Sequence, residues 1–270
     1  MPTKMTIETF TALQAERKIV CLTAYSAPMA AILDPHCDLL LVGDSVAMVL
    51  YGMDNTQGAD VQMMIRHAQA VMRGTKQALV VVDLPAGSYE ASPELALKTA
   101  TQIMQESGAD AIKLEGGAIL QPHIEMLVTN GIPVMGHIGL LPQKASSASM
   151  YRITGKTRDE ATLLHADMNA LVDAGAFAIV MEGIIEPVAK EIATACSVPT
   201  IGIGASAACD GQILVTDDMV GLFDKFIPTF VQQFGQLNPA ITQSVSAYRA
   251  AVLDGSFPSQ EHMFWPKAEK

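Results

Sequence analysis

The chain has 270 residues, half of them apolar and 17% charged, with a net charge of −11. That length suits one barrel-sized domain over residues 1–270, and the composition buries a large core and excludes a disordered chain. The acidity, without any Lys/Arg cluster, argues against a nucleic-acid partner, and no apolar run reaches the roughly 18 residues of a membrane span.

The N-terminal stretch carries Glu8 and Glu16 where a secretory signal needs apolar residues. Eight short runs rich in Val, Ile and Leu then predict strands at 19–25, 39–43, 79–83, 111–115, 133–137, 178–182, 200–203 and 212–215. They are near-continuously apolar rather than alternating, the signature of parallel strands buried on both faces. Helix-compatible stretches at 99–107, 124–129 and 160–174 stop at Gly108, Gly131 and Gly175, where glycine accepts the left-handed conformation of a helix end. Eight strands alternating with helices predict an α/β fold, a (β/α)₈ TIM barrel. The last two strands lie too close for a full helix between them. Residues 142–157 read as a long mobile loop of the kind that covers a barrel site. Helical patterns at 223–236 and 240–254 add extra C-terminal helices. Cys21, Cys37, Cys196 and Cys209 show neither CxxC nor zinc spacing, which suits a reduced, cytoplasmic setting.

The polar residues that end these runs are the informative ones. Tyr25, Asp44 with Ser45, Asp83, Lys113 with Glu115, His137 and Glu182 all fall at C-terminal strand ends, the catalytic face of a barrel. Buried polar groups need partners or a ligand, and one shared site supplies them together. Asp44, Asp83 and Glu115 are hard oxygen donors suited to Mg²⁺; alternatively, each caps the following helix. Lys113 and Glu115 alternate along one strand and face the same side, as substrate contacts or as a structural ion pair. His137 is a ligand or a satisfied core histidine. Glu182, following an apolar run, has the setting of a general base with a raised pKa, or it caps the helix starting near Glu186. Gly202-Ile203-Gly204-Ala205-Ser206 fits a phosphate loop or a tight turn.

At these residues the chain resembles the ketopantoate hydroxymethyltransferase family. The resemblance is carried by Thr23-Ala24-Tyr25, LLVGDS at 40–45, DLP with SYEASPE at 83–94, IKLEGG at 112–117, PVMGHIGLLPQ at 133–143, and IGIGA followed by DGQILV at 201–215. It implies a barrel of the phosphoenolpyruvate-mutase/isocitrate-lyase type. It implies transfer of a hydroxymethyl group from 5,10-methylenetetrahydrofolate to 3-methyl-2-oxobutanoate, giving 2-dehydropantoate for pantothenate synthesis. Asp44, Asp83 and Glu115 then belong to the Mg²⁺ site; Asp44, Ser45, Asp83 and Lys113 contact the oxo acid; Glu182 accepts the proton. A homo-oligomer, decameric in many members, is expected. The chain departs from the family pattern at Ser26, in the segment after Gly52, in MYRITG at 150–155 and in SAACDG at 206–211, all in loops. The expected chemistry is formation of a Mg²⁺-stabilised enolate that attacks the one-carbon unit on the folate. The rivals are another Mg²⁺-dependent lyase, mutase or aldolase of the same superfamily, and a non-catalytic scaffold. The lyases often carry an acidic cysteine on the loop, and 142–157 has none.

Overall fold

A computed structural model describes residues 3–145, 151–222 and 227–266. It divides into two compact units, residues 1–216 and 217–270.

The first unit is a closed barrel of eight parallel strands in chain order. They are β1 (Ile19–Thr23), β2 (Leu39–Val42), β3 (Leu79–Asp83), β4 (Ala111–Lys113), β5 (Val134–Gly139), β6 (Ala178–Glu182), β7 (Thr200–Ile203) and β8 (Gly211–Leu214). All eight expected strands are present, shifted by a residue or two at several ends. Short α1 (Ile7–Ala12) precedes the barrel, and α2 (Ala27–Leu33), α3 (Val46–Val49), α4 (Val61–Gly74), α5 (Pro93–Ser107), α6 (Gln121–Thr129), α7 (Arg158–Asp173) and α8 (Glu186–Ala195) fall between strands. Gly108, Gly131 and Gly175 have positive φ at the helix ends where glycine predicted them. Between β7 and β8 there is no helix. Their close spacing is resolved by a short turn, and the strands pair directly in parallel, Ile201 with Gly211.

Two apolar layers result. Alternate strand residues such as Cys21, Leu39, Val81, Met135, Val180 and Ile201 fill the barrel interior. Phe10 of α1 packs edge-on against Phe177 in this cluster, at 5.8 Å between ring centres, and plugs the strand-entry end. The opposite strand faces, including Leu40, Val80, Ile112 and Ile179, pack under the helices. The strands are apolar on both faces because both faces are covered.

In the second unit, a helical turn α9 (Thr216–Met219) crosses the boundary and α10 (Leu237–Asp254) is the main element. Of the helix expected at 223–236, residues 223–226 lie outside the described set, and 227–236 are not helical. Pro228 removes a backbone donor and Gly235 weakens the pattern further. No helix of the described residues is long and apolar enough to cross a membrane.

Candidate active site

The site is the top layer of the barrel interior. Continuing the inward alternation by one step leads from Val81 to Asp83, from Ala111 to Lys113 and Glu115, from Met135 to His137, and from Val180 to Glu182. Asp44 joins them from just beyond β2. Asp83 and Lys113 are register partners on β3 and β4. Their side chains meet at 2.9 Å, and the Lys113 ammonium lies 3.8 Å from Glu115 Oε1. His137 sits between two carboxylates, with Nδ1 3.3 Å from Glu115 Oε1 and Nε2 3.5 Å from Glu182 Oε2. The Asp44 backbone N–H donates to Asp83 Oδ2 at 3.1 Å. The Ser45 hydroxyl pairs with the Tyr25 hydroxyl at 2.7 Å.

The capping alternative fails for these acids. Helix α5 is capped by Ser92, and the N-cap positions of α3, α6 and α8 are Ser45, Leu120 and Ile185, so none of these helices uses Asp44, Asp83, Glu115 or Glu182. Ser26, one of the departures from the family pattern, caps α2. In the glycine-rich turn, a side chain at Gly202 would meet Cys209 and Gln212 at 3.0 Å, so close packing accounts for that glycine. At Gly139 the requirement is local to the site. Its φ is +98°, and a Cβ there would strike the Glu182 carbonyl.

Four carboxylates share one lysine and one histidine here, so at least two negative charges stay unmatched if all ionise. Burial, and then Asp83 and Glu115, push Asp44 well above the usual carboxylate range. Burial also raises Asp83, against the pull of Lys113. Burial alone would lower Lys113, but Asp83, Glu115 and Asp44 outweigh it and hold the ammonium charged. For Glu115 burial is outweighed by His137 and Lys113, and its pKa falls. Glu182 is pushed up to about 8, by burial first and the Glu115 charge second. Among the described residues, no three of His, Cys, Asp and Glu stand as a ready-made metal cage. The Lys113 ammonium lies between Asp83 and Glu115 instead.

Two residues of this cluster have no charge to betray them in sequence. Gln143 donates from Nε2 to Asp44 Oδ2 at 2.8 Å, and the Tyr89 hydroxyl donates to Gln143 Oε1 at 2.7 Å. Only their place in the SYE and LLPQ segments marked them. The expected mobile loop, 142–157, starts as a 3₁₀ turn (Pro142–Lys144) in which Gln143 is buried and Lys144 is exposed. At its far end Thr154 bridges to Ile184. Residues 146–150, the centre of that loop, lie outside the described set.

A parallel eight-stranded barrel with clustered ionisable groups at the C-terminal strand ends belongs to the class of (β/α)₈ enzymes, which work at that face. The chain belongs to the ketopantoate hydroxymethyltransferase family, which it matches over residues 4–260. It is 53% identical over 256 residues to a 3-methyl-2-oxobutanoate hydroxymethyltransferase of Sinorhizobium fredii, covering 95% of this chain and 94% of the relative. A relative of the same description from Rhizobium rhizogenes is 51% identical with the same coverage. Among solved structures, phosphonopyruvate hydrolase in complex with oxalate and Mg²⁺ shares the fold at TM-score 0.60 and 12% identity, over 93% of this chain and 90% of that one.

Proposed function

We propose that this chain transfers a hydroxymethyl group from 5,10-methylenetetrahydrofolate to 3-methyl-2-oxobutanoate, giving 2-dehydropantoate for pantothenate synthesis, with Mg²⁺ as its metal. The observation that carries this reading is the grouping of Asp44, Asp83, Glu115 and Glu182 about Lys113 in a chain half identical to such transferases.

The residues fit a hard cation. Asp44, Asp83 and Glu115 offer oxygen donors only, their charge exceeds that of Lys113 and His137, and buried Asp83 Oδ1 has an ion-pair partner but no aligned hydrogen bond. Asp44, Asp83 and Glu115 would hold Mg²⁺, which would supply positive charge for a developing oxyanion on the oxo acid. Lys113 adds a second fixed charge for the same oxyanion. Ser45, its hydroxyl held by Tyr25, orients the substrate carboxylate. Glu182 accepts the proton from the carbon beside the carbonyl, and His137 holds that carboxylate in place. Water breaks the two carbon–nitrogen bonds of the donor, its protons going to the nitrogens of the departing tetrahydrofolate, and the carbon nucleophile adds to the one-carbon aldehyde released, whose oxygen takes back the proton held by Glu182 to become the hydroxyl. A cleft of about 260 Å³ lined by Leu140, Leu141, Lys144, Tyr151 and Arg152 starts beside Gly139, the register partner of Glu182. Its apolar walls and basic rim suit the anionic folate. The reading includes a cytoplasmic homo-oligomer, decameric as the family resemblance implies, and light scattering of the purified protein tests the size.

The direct test follows 2-dehydropantoate formation from the two substrates. Product should require folate, vanish with chelator and return with Mg²⁺ or Mn²⁺. Full turnover in chelator overturns the metal; folate-independent turnover overturns the donor.

A further inference from the structure

We infer that Gln143 is a positioning residue for two carboxylates of the site, holding Asp44 through its side chain and Glu115 through its backbone. The inference rests on the carboxylate-site reading above.

Gln143 is buried, 6% exposed, and every polar group it has is engaged. Side-chain Nε2 donates to Asp44 Oδ2 at 2.8 Å and to the Leu84 carbonyl at 2.9 Å. Oε1 accepts from the Tyr89 hydroxyl at 2.7 Å. The backbone N–H donates to Glu115 Oε2 at 3.1 Å, and the backbone carbonyl accepts from Gln57 Nε2 at 2.9 Å. The Leu84 carbonyl can only accept, which fixes the nitrogen on that side and turns the oxygen to Tyr89. The amide therefore has one orientation. It presents a donor to Asp44 and leaves the other Asp44 oxygen for different partners. Tyr89 closes the loop by accepting the Glu115 backbone N–H at 3.1 Å.

The chemistry of an amide suits this place. A carboxylate of the same length would set a further negative charge against Asp44 and Glu115, and an apolar side chain would take the amide donor from the Leu84 carbonyl and the amide acceptor from the Tyr89 hydroxyl. One residue thus ties together segments that follow four different strands, β2, β3, β4 and β5. Packing alone demands none of this polarity. Hydrogen bonds to an ionised acceptor are the stronger kind, and outer partners of metal-binding carboxylates set their orientation.

The test is Mn²⁺ binding to the purified full chain, read by electron paramagnetic resonance at 25 °C, for the parent, Gln143→Met, Tyr89→Phe and the double variant. Gln143→Met keeps length and volume and should weaken Mn²⁺ about 10–100-fold. Tyr89→Phe should weaken it less. The double variant should lose less than the product of the two, because Tyr89 acts partly through Gln143. A Gln143→Met chain that melts earlier yet binds Mn²⁺ like the parent overturns the inference and leaves a structural residue. Should Gln143→Met fail to fold, an unmoved affinity in Tyr89→Phe overturns it equally. A parent chain that binds no Mn²⁺ overturns the carboxylate-site reading itself, and this inference with it.

Discussion

At the strand-entry end of the barrel, Asp38, Asp110 and Asp210 stand immediately before β2, β4 and β8, and each accepts a backbone N–H from the neighbouring strand: Val20 at 2.9 Å, Val80 at 2.7 Å and Thr200 at 2.8 Å. Each also has a further donor, Arg17, Lys4 and the Thr200 hydroxyl respectively. At the mouth, Asp44, Asp83, Glu115 and Glu182 compete for Lys113 and His137. The same functional group does opposite work at the two ends. A floor aspartate ties two strands together and has its charge answered locally. Asp44, Asp83 and Glu182, whose pKa values are raised, cost the folded chain free energy when ionised, and each is useful only when a ligand or a proton answers it.

The largest expected break between the two ends is kinetic. Glu182→Gln keeps shape and hydrogen bonding but cannot accept a proton. Solvent deuterium entering 3-methyl-2-oxobutanoate beside its carbonyl, followed without folate, should slow by about 10²–10⁴-fold. The melting temperature in chelator at pH 8 should match or exceed the parent's. Parent-rate exchange would make Glu182 a packing residue and His137 the next candidate base.

The second effect is on stability, and it runs the other way. Asp38→Ala leaves the Val20 N–H without its partner and frees Arg17, at a cost of about 1–3 kcal/mol. Denaturant unfolding should show that loss, while deuterium exchange in the folded protein stays at the parent rate. Normal stability with lost exchange would erase the distinction between floor and mouth.

These two ends were unequally legible in the sequence. The strands stood out because burial on both faces makes each an unbroken apolar run, so 79–83, 178–182 and 200–203 match β3, β6 and β7 residue for residue. The mouth stood out because Asp83, Lys113 and Glu182 interrupt or end such runs with charge. The floor did not. Asp38, Asp110 and Asp210 precede their runs and read as ordinary loop residues until the register pairs each with a neighbouring strand. Gln143 and Tyr89 were hidden for a different reason: neither carries a charge, and their partners come from segments 26 to 99 residues away. The 223–236 stretch shows the limit of periodicity, since the helical apolar pattern outvoted Pro228 and Gly235, and the described part, 227–236, is not helical.

The smallest expected effect is a pH slope, and its sign follows from Glu182. In the folded chain its pKa is pushed up to about 8 from the ordinary 4.5, by burial and then by Glu115. Between those values the folded chain keeps a proton that the unfolded chain has released. Stability then falls as pH rises. The favourable contribution is whole below pH 4.5 and gone above pH 8. Asp44 and Asp83, also raised, lean the same way, whereas Glu115, lowered, leans against them. Glu182→Gln removes one contributor and leaves the others. In chelator, the variant's melting temperature should therefore gain on the parent's between pH 5 and pH 8. Glu182 keeps 16% of its side chain exposed at the mouth, so water screens part of the effect. A gain of about 2–4 °C, equivalent to about 1 kcal/mol for a chain of this size, is the expected scale. Parallel curves for the two proteins would mean that Glu182 is already ionised near pH 5, with its charge answered inside the site. The mouth would then be electrostatically closer to the floor than its geometry implies. Asp38→Ala, followed the same way, should melt below the parent by the loss of its hydrogen bonds to Val20 and Arg17.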